Sequence, residues 1–123
     1  MLWPNGRRKA FTLSYDDGIT QDLRLIELFN KYGVKATFNL NSGLFGQKGT
    51  VSGKKEVPHI KLSREEISKV YKGHEIAAHG QYHKCMAGMD IVRCLNEILE
   101  NRRELEKIEG KPVTGFAYAF GVY

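Results

Sequence analysis

Apolar and polar residues along this chain fall into short runs that switch between two periodicities. Residues 10–15 (AFTLSY), 34–40 (VKATFNL), 74–79 (HEIAAH) and 113–120 (VTGFAYAF) are brief stretches rich in apolar and β-favouring types. They predict four strands, the first expected to be buried on both faces. Helical spacing fills the intervals. Thr20 is placed to cap a helix reaching about Tyr32, with Leu23, Ile26 and Phe29 or Asn30 on one face and Gly33 as its stop. Ser63 and Glu66 stand at capping-box spacing at the head of a second helix within 62–73, which Gly73 ends. Asp90 caps a third, from Ile91 to about Glu109, whose face is Ile91, Leu95, Ile98 and Leu105. Residues 41–58, with four glycines and then Pro58, predict a long loop, too long for a plain connector and so either mobile or functional.

Strands alternating with helices imply a mainly parallel sheet with right-handed crossovers, an α/β fold. In such sheets, ligands gather at the carboxyl ends of the strands. Two clusters fall there. Asp16 and Asp17 close the first strand, in YDDG. His79 and His83 close the third, in HGQYH, more than sixty positions later. Adjacent carboxylates repel unless a positive charge lies beside them, and a divalent metal is the obvious candidate. One carboxylate and two imidazoles would leave coordination positions open, as catalysis needs. Taken alone, D-D-G is an ordinary surface turn and H-x-x-x-H two incidental histidines. Both motifs at the strand ends of one sheet make coincidence a poorer explanation.

Composition changes this picture little. The 123 residues suit one domain, 1–123, with a modest core. No apolar run approaches the ~20 residues of a membrane span. No signal peptide is visible at the N-terminus, so a cytoplasmic location is expected. Nineteen Lys plus Arg against fourteen Asp plus Glu give a net charge of +5. The basic residues are scattered and no nucleic-acid-binding motif is present, which argues against a nucleic-acid partner. Cys85 and Cys94 lack C-x-x-C spacing and read as free, partly buried thiols.

LSYDDG, YGVKATFNLNSGLFG and GHEIAAHGQYH together resemble the polysaccharide deacetylases of carbohydrate esterase family 4, over nearly the whole chain. The resemblance implies a deformed (β/α) barrel, here a partial one of about four parallel strands and three helices. It implies removal of N- or O-acetyl groups from an acetylated oligo- or polysaccharide such as chitin, peptidoglycan or xylan. By matched position, Asp16 would be the general base. Asp17, His79 and His83 would hold a divalent metal, most often Zn2+ in the family. The backbone N–H near Phe120 would serve the oxyanion. Two departures stand out. Ala117, Tyr118 and Ala119 occupy the region where the family carries an arginine that orients the base, often with a proline. The family's later motifs, which include its histidine general acid, have no counterpart. The expectation is therefore either the N-terminal part of a longer enzyme, cut before those motifs, or a chain that forms a homo-oligomer to cover its open edge. The alternative function is a catalytically weak or inactive module of the same fold that binds metal and carbohydrate.

Other residues read more plainly. His74 is expected to be a buried structural histidine and His59 a surface one. Trp3 is expected under the sheet, unless it or Tyr82 stacks on a sugar. Asn39 and Asn41 end the second strand, where one of them would face the site.

Overall fold

The computed structural model describes residues 2–53 and 55–121. Its centre is a parallel sheet of β1 (Ser14–Asp16), β2 (Thr37–Leu40) and β5 (Glu75–Ala78), in that spatial order; between β2 and β5 the chain forms a separate antiparallel hairpin of β3 (Lys48–Val51) and β4 (Val57–Ile60). The register aligns Asp16 with Asn39, and Asn39 with Ala77, so the three strand ends lie side by side. The segment expected as a fourth strand contributes a single parallel bridge, Phe116 to Ala78, flanked by Ala78 N–H donating to the Gly115 carbonyl and Ala117 N–H to the Ala78 carbonyl. This is the open, partial barrel of the sequence expectation, with the segment after the third helix next in sheet order.

Three helices pack around the sheet: α1 (Asp22–Tyr32), α2 (Arg64–Val70) and α3 (Ile91–Glu109). Phe38, Leu40, Ile76 and Ala78 point into a core completed by Ile26, Leu62, Ile67, Tyr71 and Leu105. Helix α2 carries the expected capping box between Ser63 and Glu66. Asp90 caps α3 by accepting from the Val92 and Arg93 amides, and Gly110 ends it in the left-handed region at φ 67°.

Several expectations are corrected. The first strand is not buried on both faces: Ser14 and Asp16 are exposed, because only the opposite face, that of Tyr15, packs against the core. Helix α1 begins after Gln21, without a side-chain cap, and the Thr20 hydroxyl donates to Gln21 Oε1 instead of capping it. Residues 41–58 are no plain loop, since they hold most of the β3–β4 hairpin. The face of α3 turned inward is Glu97, Asn101 and Leu105, whereas Ile91 and Leu95 are exposed. Trp3 is exposed too, and does not pack under the sheet. Cys85 is an exposed thiol and Cys94 a half-buried one, both free. Among the described residues, no helix is long and apolar enough to cross a membrane.

Candidate metal centre

The two halves of the site arrive at the ends of β1 and β5, the two strands that flank β2, and are fixed by backbone turns. At the end of β1, Asp17 and Gly18 both enter the left-handed region, at φ 81° and 65°. This breaks the strand alternation that would send adjacent side chains to opposite faces. The Asp17 N–H still donates to the Asn39 carbonyl, at 3.0 Å, so the ladder holds through the turn. A Cβ on residue 18 would come within 2.8 Å of Leu40 Cδ2, so glycine is required by space as well as by φ.

Past β5, His79 is buried, and its N–H is shared between the Leu40 carbonyl and Asn101 Oδ1, both at 3.1 Å. Its Nδ1 lies 2.9 Å from the Ala117 carbonyl. A carbonyl only accepts, so Nδ1 carries the proton and Nε2 presents its lone pair. The following turn is held from both sides. Asn41 Nδ2 donates to the carbonyls of His79 and Gly80. The buried Glu97 accepts from the Tyr82 N–H at 2.8 Å. His83, itself at φ 53°, is thereby brought beside His79, their ring centroids 4.9 Å apart.

Asp17, His79 and His83 each offer one ligand atom, and these atoms lie within 4.8 Å of one another. The donor set fits a divalent cation: a carboxylate, an imidazole whose tautomer is fixed, and a second imidazole kept neutral. Burial lowers the His83 pKa; Asp17 opposes that shift, while His79 and Lys61 reinforce it, and the net direction is down. For Asp17, burial pushes the carboxyl up, but the hydrogen bond and charge of Lys61, then His83 and His59, outweigh it, and the pKa falls below its ordinary value.

Asp16 stands next to this triad and more in the open. Its Oδ1 accepts from Asn39 Nδ2 at 2.7 Å, and its Oδ2 is 4.0 Å from His79 Nε2. Phe120 lies on the far side, at φ 64°, with its ring 4.8 Å from that of His83. The residues singled out in the sequence are thus gathered at one end of the sheet.

Two others were missed. His59, expected at the surface, is three-quarters shielded, with Nε2 3.6 Å from Asp17 Oδ2 and no hydrogen-bond partner. Lys61 is buried, and its ammonium donates to Asp17 Oδ1 at 2.8 Å. Both come from the hairpin, which returns along the first strand's exit: Leu62 N–H donates to the Gly18 carbonyl, and Lys61 bridges Ile19. The only signal for Lys61 was a lone lysine between Ile60 and Leu62; His59 offered none. Asn39 and Asn41 both serve the site, one holding Asp16 and the other the turn before His83. His74 is buried as expected, its Nδ1 accepting from the Ala36 N–H. Between hairpin and triad opens a cleft of about 250 Å³, lined by Asp17, His59, Lys61 and His83 together with Leu44 and Thr50.

The sequence profile of the polysaccharide deacetylase family matches residues 4–123. No curated protein matches significantly by sequence. Among solved structures, the chain is similar to the Streptococcus pyogenes deacetylase PplD in complex with acetate, at 20% identity and TM-score 0.78, covering 94% of this chain and 48% of that one. It is similar to a polysaccharide deacetylase from Bacillus cereus, at 22% identity and TM-score 0.76, covering 97% and 36%. It is also similar to the peptidoglycan deacetylase PdaC from Bacillus subtilis, at 19% identity and TM-score 0.69, covering 99% and 54%. The chain thus spans between about a third and a half of the structures it resembles.

Proposed function

We propose, from the premise that this chain belongs to the polysaccharide deacetylase family, that it takes part in metal-dependent hydrolysis of acetyl groups on an N- or O-acetylated carbohydrate polymer. The observation that carries this reading is the convergence of Asp16 with the Asp17, His79 and His83 donors, where His79 Nε2 is freed by the bond from Nδ1 to Ala117. Asp17, His79 and His83 would hold the ion, Zn2+ being the first candidate for a mixed nitrogen and oxygen set. When bound, such an ion supplies a Lewis acid for the acetyl carbonyl and for water.

The chain's own groups divide the remaining work. Asn39 occupies one oxygen of Asp16 and leaves Oδ2 turned toward the triad. That oxygen takes a proton from the water molecule as the water oxygen attacks the acetyl carbon. The carbonyl oxygen, now negative, needs a donor, and the backbone N–H at Phe120 is the proposed one, since its ring rests against His83. Collapse breaks the bond to the sugar nitrogen or oxygen, and the leaving group must gain a proton. An amine depends on that proton far more than an aryl oxide does. None of these 123 residues is assigned as the acid that supplies that proton, so taken by themselves they are expected to hydrolyse aryl acetates slowly and N-acetyl sugar oligomers hardly at all.

The test loads the chain with Zn2+ and follows aryl acetate hydrolysis alongside metal content. Asp16→Asn is expected to lower the rate by ~10²–10⁴ while keeping the ion, and His79→Ala or His83→Ala to lose the ion itself. An unchanged rate in Asp16→Asn would remove Asp16 as the base. Equal metal content in the histidine variants would remove the proposed ligands.

A further inference from the structure

Lys61 is the only buried lysine or arginine among the described residues, and it lies against the carboxylate that the proposed function assigns to the metal. An ammonium in such a place must replace its lost hydration with hydrogen bonds. Lys61 does so completely. Its three N–H groups go to the Asp17 carbonyl at 3.0 Å, Asp17 Oδ1 at 2.8 Å and Asn41 Oδ1 at 3.1 Å. Its backbone is pinned as well: the N–H donates to the Gln47 carbonyl at 2.9 Å, and the residue bridges Ile19. The charge has no room to swing away when a second cation arrives. Asn41, which accepts from it, is buried and tied to the carbonyls of His79 and Gly80.

Such a lysine acts on a metal site in two opposing ways. Gripping Asp17 by its carbonyl and by Oδ1, the oxygen that also lies 3.6 Å from His83 Nε2, keeps the ligand in its left-handed backbone and its carboxylate beside the triad, while Oδ2 faces His59. Placing a fixed positive charge beside that ligand also repels a divalent cation and draws electron density from the carboxylate. Repulsion between a unit charge and a divalent ion one ligand's width away is worth roughly tenfold in an equilibrium constant even at the permittivity of bulk water. The site is partly closed, so the repulsion outweighs the loss of orientation.

We propose that Lys61 is a positioning residue that also sets the metal affinity of the site, holding Asp17 in place while weakening the grip on the divalent ion. The inference rests on the proposed metal reading. A purely structural lysine, serving only to tie the hairpin to the end of the first strand, would change stability on removal without tightening metal binding.

The test measures Co2+ affinity of the full chain by visible absorbance against a competing chelator at fixed pH, with thermal melting in parallel. Lys61→Met is expected to bind Co2+ at least tenfold more tightly than the parent, even though its melting point falls. Lys61→Gln, which removes the charge but keeps an amide donor, gives the same reading should the methionine variant fail to fold. Lys61→Arg, which keeps the charge, is expected to stay within about threefold of the parent. Affinities of Lys61→Met or Lys61→Gln equal to or weaker than the parent's would overturn the inference alone. A parent chain that binds no Co2+ would overturn the metal reading and this inference with it.

Discussion

Replacing Asn101 by alanine tests whether a polar side chain inside α3 holds the site together. Asn101 is fully buried and makes three hydrogen bonds: Oδ1 accepts from the His79 N–H at 3.1 Å, and Nδ2 donates to the Leu40 carbonyl at 3.0 Å and to Ser42 Oγ at 3.1 Å. Each is worth a net ~0.5–1.5 kcal/mol. The His79 N–H and the Leu40 carbonyl also bond one another, so neither is left bare. The expected loss is therefore about 2–4 kcal/mol, a large share of the ~5–15 kcal/mol that holds a typical domain together. With a urea slope of ~2 kcal/mol per molar, the unfolding midpoint by far-ultraviolet circular dichroism should fall by ~1–2 M. Asn101→Asp sharpens the reading. It keeps an acceptor for His79 but turns a carboxylate on the Leu40 carbonyl, so it should be weaker than alanine at pH 7 and recover as the pH drops and the acid protonates. A loss below about 1 kcal/mol for alanine, or an aspartate variant as stable as the parent at pH 7, would refute the reasoning.

Three more substitutions test a buried acid and two left-handed glycines. Asp22 is buried against the Tyr71 hydroxyl at 2.6 Å, and its pKa is raised because burial outweighs the hydrogen bonds to Tyr71 and the Ile19 backbone. A folded value above the unfolded one means the native state loses stability as the pH rises through that folded value. Asp22→Asn should thus gain stability over the parent at pH 7, by urea unfolding, with the gain shrinking toward pH 4; a constant difference would contradict the assignment. Gly18→Ala and Gly33→Ala both place a side chain at φ 65°, but only the former meets a neighbour, Leu40 Cδ2 at 2.8 Å. The latter should cost about 1–2 kcal/mol and the former measurably more, read as melting points; equal losses would mean that Leu40 yields freely.

Much of the scaffold could be read from local signals. The caps at Ser63, Asp90 and Gly110 are short-range chemistry, and they mark helix ends in the structure where the spacing puts them. The pairing of YDDG with HGQYH was legible because parallel strands force their carboxyl ends together. What escaped depends on tertiary context. The inner face of α3 was misread because Asn101 and Glu97 satisfy backbone groups on the strand ends and turn, a demand that apolar periodicity does not register. The hairpin was read as a loop because its glycines and its entirely exposed first strand show no alternation of burial. With the hairpin went the two residues it carries to the site, His59 and Lys61. Asn39 also takes one oxygen of Asp16, a partner that only the strand register reveals.

The hairpin has a consequence for motion. Strand β3 pairs only with β4 and is exposed throughout, whereas β4 is also tied to the segment after β1, through Thr20 N–H to the Ile60 carbonyl and Gln21 Nε2 to the Pro58 carbonyl. An isolated two-stranded ribbon is marginally stable in water. Elements of that kind open locally at a fraction of the cost of global unfolding. Amides of Lys48–Val51 should therefore exchange with solvent well before those of β2. One wall of the site is thus built on the buried β2, the other on an exposed ribbon. The ammonium beside Asp17 belongs to the base of the ribbon, where the Gln47 carbonyl and the Ile19 bridge hold its backbone, so it should stay in place while the tip opens.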